Sequence, residues 1–131
     1  MRSIRFAAAL AVIAVTSCTP GLKKPVVSVD AKPDANCVQR VEVAMHSFWF
    51  EPNRIVVHAG HPVELVFKNH SWLVPHNCTV IDPDVAFSRS LGPQGHHVER
   101  LNPTKPGEYE FFCHVDSHAK KGMKGTLVVV P

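Results

Sequence analysis

An all-β domain is the fold class this sequence predicts, and three observations carry the expectation. Short apolar stretches rich in valine and aromatics recur from residue 38 onward, punctuated by Gly and Pro. Val41-Glu42-Val43-Ala44-Met45 alternates with period two, as do Val63, Leu65 and Phe67, the pattern of strands with one face buried. Helical periodicity is almost absent. Short strands with turn residues between them and no helices to cover them pack sheet on sheet, so the expected architecture is an antiparallel β-sandwich of seven or eight strands.

In chain order, the first element is a leader. Met1-Arg2-Ser3-Ile4-Arg5 is positively charged, and Phe6 to Val15 is an unbroken apolar run of ten residues. That is too short to span a bilayer and has the length of a signal-peptide core. Val15-Thr16-Ser17-Cys18 then resembles a bacterial lipoprotein processing site, which implies cleavage after residue 17 and lipid on Cys18. Several acyl chains would make the anchoring durable, where a single one binds a membrane only marginally. The chain is therefore expected to be exported, periplasmic or at the cell surface. Residues 18–37 hold Pro20, Gly21, Pro25 and Pro33 among polar residues and read as a flexible tether, with Val26 to Val29 as a short strand within it. The domain proper is expected over 38–131.

Within it, strands are expected at Val41–Met45, Ile55–Val57, Pro62–Lys68, Cys78–Asp82, His97–Leu101, Glu108–Cys113 and Thr126–Val130. Ser47 to Asn53 reads as an aromatic loop, and Pro83 to Gly95 as an irregular stretch with room for one helical turn. The 131 residues suit one domain with a modest core. Removing Arg2 and Arg5 with residues 1–17 lowers the formal charge from +3 to +1. A nearly neutral domain gives no general argument for nucleic acid, for which a strongly basic patch would be expected.

The chemistry is concentrated near the end of the chain. An aromatic run, Tyr109 to Phe112, delivers Cys113; His118 and Met123 follow at Cys-x4-His-x4-Met spacing, and a strand-like run begins at Thr126. A loop between adjacent strands can turn all three side chains toward one point. A thiolate, an imidazole and a thioether are soft donors suited to copper rather than to calcium or magnesium. A second imidazole is offered by His76 in Pro75-His76-Asn77, at the start of another strand-like run. Zinc is the chemical runner-up, because Cys, His and His would bind it too.

An upstream His-Asn combined with a late Cys…His…Met loop and a Gly-x-Leu-Val-Val strand resembles the cupredoxins, the blue-copper proteins, over roughly residues 40–131. The resemblance implies a Greek-key sandwich with one copper cycling between +1 and +2. It places His76, Cys113 and His118 in the equatorial plane and Met123 as a weak axial donor. It further implies that Asn77 ties the two ligand loops together by hydrogen-bonding to the backbone near Cys113, and that the ring edge of His118 reaches the surface. The function implied is single-electron transfer between redox proteins, without an enzymatic activity or a small-molecule substrate. The alternative is a copper carrier or buffer, favoured by the nine histidines and disfavoured by the lack of a methionine-rich tract.

Phe112-Cys113-His114-x3-His118 is similar to the His-Cys-His-x3-His run of multicopper oxidases, but Phe112 and the missing His-x-His pairs leave no trinuclear cluster, so His114 is expected at the surface or beside the ligands. Trp72, Leu73 and Pro75, with Ala119, would form an apolar docking patch, and Lys120, Lys121 and Lys124 would steer an acidic redox partner toward it. His46, His58, His61, His70, His96 and His97 are expected mostly as solvated loop residues. Cys37 and Cys78 could pair only from opposite poles of the domain, and Cys78 is expected to face the core below the metal.

Overall fold

The computed structural model describes residues 24–131. Its strands are β1 (Ser28–Asp30), β2 (Gln39–His46), β3 (Trp49–Glu51), β4 (Arg54–His58), β5 (Val63–Asn69), β6 (His76–Val80), β7 (Phe87–Leu91), β8 (His96–Leu101), β9 (Gly107–Phe112) and β10 (Lys124–Val130). They form a six-stranded sheet in the order β1-β4-β10-β9-β6-β7 and a four-stranded sheet in the order β3-β2-β5-β8. The sandwich and the all-β class are as the sequence indicates.

The strand count and the pairing differ from the expectation. There are ten strands among the described residues, and both sheets are mixed: β4 runs parallel to β1 and β10, and β2 runs parallel to β5. Parallel neighbours need a crossover connection. After β2 the chain folds back as β3, passes to the other sheet as β4 and returns as β5, which leaves β2 and β5 pointing the same way. The unexpected strands are edges. β3 closes one edge of the small sheet, and β7, almost wholly exposed, closes one edge of the large one. An edge strand with both faces wet has no reason to alternate. The stretch Pro83–Gly95 therefore contains β7 between two hydrogen-bonded turns (Val85 N to Asp82 O, 3.1 Å, and Gly95 N to Gly92 O, 3.0 Å) rather than an irregular loop. The tether also ends earlier than expected: β1 pairs in register with β4, Val29 opposite Ile55, and Ala31 is buried in the core.

Two rows of side chains build the inner face of the small sheet. In β2 these are Gln39, Val41, Val43 and Met45; in β5 they are Val63, Leu65, Phe67 and Asn69. Across from them lie Ile55, Val57, Cys78, Val80, Tyr109, Phe111, Leu127 and Val129 of the large sheet. Each row carries one polar residue at an end. Gln39 closes the lower pole by pairing with the backbone of His58 in both directions (2.9 and 2.6 Å). Asn69 does the equivalent at the upper pole, where β5 ends, β6 begins, and β9 passes through residues 113–123 into β10. The second residue of that last strand is Gly125 because Phe111 fills the space where a Cβ would sit, and Asn53 O is 2.6 Å from the same point.

Candidate metal centre

β6 and β9 are neighbours in the large sheet, paired at Thr79 and Phe112, so His76 at the start of β6 and Cys113 just past β9 emerge at the same pole. The loop from Cys113 to Met123 folds back on itself. Cys113 N donates to Met123 O (3.1 Å), and Met123 N donates to His118 O (3.0 Å). Gly122, at φ +101°, provides the left-handed residue that turns the loop into β10. The backbone of Met123 is thus tied to both Cys113 and His118.

Within this frame the donors converge. The ligating atoms of His76, Cys113 and His118 all lie within 4.8 Å of one another. His76 Nδ1 stands 3.3 Å from His118 Nδ1, and His118 Nδ1 stands 3.4 Å from Cys113 Sγ. His76, Cys113 and Met123 are fully buried and His118 is 4% exposed. Burial first, then the charge of His118, lowers the pKa of His76 to about 4, so its imidazole is neutral at pH 7 and keeps a lone pair for a metal. Burial and then Lys121 lower the pKa of His118 as well, with Asp116 opposing. Two facing Nδ1 atoms and a sulfur, with no carboxylate among them, suit a soft cation.

The sequence from residue 6 to 129 matches the family model described as the cupredoxin-like domain. The chain belongs to the cupredoxin-like family. No curated protein sequence matches it. Among solved structures, this cupredoxin resembles the metal-binding domain of the Cu(I)-exporting P-type ATPase CopA from Streptococcus pneumoniae D39, at 21% identity and a TM-score of 0.67, covering 82% of this chain and 100% of that one. It resembles reduced auracyanin from Roseiflexus castenholzii at 24% identity and a TM-score of 0.64, covering 70% of this chain and 97% of that one. Reduced rusticyanin is similar at 24% identity and a TM-score of 0.62, covering 79% and 84% of the two chains. The donor chemistry of the cupredoxin site fits the family's metal. One thiolate, two neutral imidazoles and the buried thioether of Met123 make up a type 1 copper site, and the cofactor is one copper.

Asn77 makes the contact expected of it. His114 N donates to Asn77 Oδ1 (2.7 Å), so the β6 side chain clasps the loop directly after Cys113. The backbone adds a second tie, Asn77 N to Cys113 Sγ (3.3 Å). Hydrogen bonds at the cysteine sulfur are among the features that set the potential of such a centre. His114 is exposed, with its ring against Asn77 Nδ2 and Thr79 Oγ1 (2.7 and 3.0 Å). Cys78 faces the core, where burial and then Cys113 push its thiol well above the ordinary range. Cys37 and Cys78 are both free thiols, Cys37 exposed before β2 at the lower pole.

Two residues that the sequence reading missed hold His76. Ser71 Oγ lies 2.9 Å from His76 Nε2 and 2.9 Å from Ser47 Oγ. With Nε2 engaged by a hydroxyl, Nδ1 is left facing the other donors. Asn69 holds the loop that carries Ser71: its Oδ1 accepts from Ser71 N (2.9 Å), and its Nδ2 donates among Val74 O, Leu91 O and Gly92 O (3.0, 3.2 and 3.0 Å). The alternation of β5 was the available signal, because after Val63, Leu65 and Phe67 the next inward residue is Asn69. No comparable pattern points to Ser71. Ser71→Ala should lower copper affinity by about 10–100-fold, the usual effect of losing a partner that orients a ligating histidine. Competition titration against a chelator checks this, with Ser71→Thr restoring affinity.

The surface around the site departs from expectation at two points. The His118 ring is covered rather than presented to solvent: the Phe48 ring lies 4.5 Å from it, and Lys121 Nζ sits 4.0 Å above Phe48. Lys124 is engaged by Glu110 (3.3 Å), whereas Lys120 projects into solvent. Trp72 and Leu73 are 80% and 88% exposed, and Pro75 is exposed beside them. Of the nine histidines, only His76 and His118 enter the donor cluster. Several of the rest are more engaged than solvated loop residues would be: His46 stacks on Trp49 (4.6 Å), His58 lies 3.6 Å from Asp30, and His97 lies 3.4 Å from Glu99.

Proposed function

We propose that this cupredoxin is a single-electron carrier in which His76, Cys113 and His118 are the strong ligands and Met123 the weak axial one. The observation that carries the proposal is the enclosure of the donors, three of them with no exposed surface and the fourth with 4%. A carrier that passes on the ion itself needs a donor an acceptor can reach to begin the exchange. Copper at this site supplies a one-electron couple, since the thiolate and imidazoles suit both oxidation states. The chain's part is to keep the donors still: Asn77 and Met123 fix the Cys113 loop, Ser71 orients His76, and the apolar sheets exclude water. Two measurements test this. The copper-loaded protein should show an intense visible band that bleaches on one-electron reduction, and it should keep its copper through repeated cycles before an external chelator. Rapid loss of copper to the chelator would favour the carrier reading instead.

The partner in this proposal is a redox protein with an acidic surface that docks on Trp72, Leu73 and Pro75. Lys120 and Lys121 supply the steering charge, with Lys124 contributing less because Glu110 offsets it. Such charges act on encounter rate more than on final affinity. The double substitution Lys120→Gln and Lys121→Gln should slow electron transfer to the native partner and flatten its salt dependence while the spectrum is unchanged. An unaltered salt dependence would move docking elsewhere.

The leader and Cys18 lie outside the described residues. We propose that residues 1–17 are removed on export and that Cys18 carries the lipid, holding the domain at a membrane on the short tether ahead of β1. Cys18→Ala should shift the protein from the membrane to the soluble fraction, and unchanged partitioning would exclude this anchor.

A further inference from the structure

The register of β6 against β9 has a consequence for the ligand cysteine. The two strands are antiparallel and paired at Thr79 and Phe112, so one step along each sets Cys78 opposite Cys113. Asn77 N points across the gap at Cys113 Sγ, and amides alternate sides along a strand, so the Cys78 amide points the other way, toward β7. The Cys113 amide is likewise turned away, to Met123 O. Neither cysteine exchanges backbone hydrogen bonds with the other. They form a non-hydrogen-bonded cross-strand pair, the kind in which facing Cα atoms approach to about 4.5 Å and side chains are closest. Disulfides span Cα separations of roughly 4.4–6.8 Å. Both side chains are on the inner face, as are Val80 and Phe111 at the next inward positions. Both cysteines are free, and Cys78 lines a small apolar gap with Leu65, Phe67 and Phe111.

We propose that Cys78 is an oxidative modification site: in the copper-free protein it forms a disulfide with Cys113 and withdraws the thiolate donor from the metal centre. The oxidant is a low-molecular-weight disulfide. Cys113 is buried in the closed site, so the step belongs to the copper-free protein when the 113–123 loop opens: the Cys113 sulfur attacks the small disulfide, one small thiol leaves with the proton from Cys113, and a mixed disulfide remains. Cys78 sulfur then displaces the second small thiol, which takes the proton from Cys78. One sulfur–sulfur bond has broken and one has formed in the protein; two cysteines are oxidised and the small disulfide is reduced to two thiols. Bound copper blocks the first step by occupying the Cys113 sulfur, so copper and the disulfide exclude one another. This consequence rests on the ligand assignment above; the cross-link itself does not.

The test treats the full chain, copper-free, with excess 2-hydroxyethyl disulfide, alkylates the remaining thiols and maps the peptides by mass. The expected result is a linked pair of peptides containing Cys78 and Cys113, and loss of copper uptake in proportion to the link, reversed by a thiol reductant. Copper-loaded protein should keep both thiols. Cys78→Val should stop at the mixed disulfide on Cys113, which shows that the second step needs Cys78. The proposal is overturned if wild-type protein also stops there with Cys78 alkylated, if Cys113 pairs with Cys37, or if neither thiol reacts. Copper uptake by the fully reduced chain is measured in parallel. Its failure would count against the ligand assignment, whereas the cross-link is scored by peptide mass alone.

Discussion

Cys113→Ser should give a folded protein without the intense visible copper band. Its copper affinity should fall by more than the roughly 10–100-fold typical of losing a residue that merely supports a ligand. The reason is chemical rather than steric. A serine hydroxyl fills nearly the same volume at this fully buried position, and its oxygen can still accept from Asn77 N as the sulfur does. What it cannot provide at neutral pH is a soft anionic donor. Met123→Leu is the informative control: the equatorial donors stay, so the band should persist, and loss of the weak axial donor should raise the potential. Visible absorption and a copper titration check both. If Cys113→Ser retained the wild-type band, the thiolate ligand would have to be another cysteine, and Cys78 is the other buried thiol among the described residues.

The residues that bind metal were legible in the sequence because chemistry restricts them. Few side chains are soft donors, and Cys113, His118 and Met123 fall within one loop between two strands whose alternation is plain. The residues that hold the donors in place were less legible, because their roles depend on which loop tops lie side by side. Ser71 and Ser47 are far apart in sequence, and nothing local marks either as the partner of His76. The central strands were read correctly, since an inward row such as Val63-Leu65-Phe67 exists only to face a core. β3 and β7 were missed, because a short edge strand is specified by its neighbour's free backbone groups rather than by its own side chains. The covering of His118 was missed for a related reason: Phe48 belongs to a turn after β2, and its place over the ring follows from the packing of one sheet on the other.

Asn69 is where the fold and the site are most tightly coupled, and Asn69→Ala should therefore be among the most destabilising single changes. The side chain is 2% exposed, and its two amide hydrogens are shared among three backbone carbonyls, one in the β5–β6 connection, one at the end of β7 and one just after it, while its oxygen holds Ser71 N. Truncation leaves those groups in a space with little water, and each unsatisfied buried partner costs about 1–3 kcal/mol. Even if most of them relax toward solvent, a net loss of about 3 kcal/mol is expected, a large share of the roughly 5–15 kcal/mol that holds a typical domain folded. Asn69→Asp should not rescue it: the carboxylate could still accept from Ser71 N, but it would turn a negative charge on carbonyl oxygens that now receive hydrogen bonds. Because Ser71 orients His76, the same variants should also weaken copper binding, which a substitution at the other pole such as Gln39→Ala should not do. Urea unfolding of the copper-free proteins, followed by copper titration, separates the two effects. A stability within about 0.5 kcal/mol of wild type for Asn69→Ala, the range of an ordinary surface change, would mean that the β5–β6 connection is held by something other than Asn69.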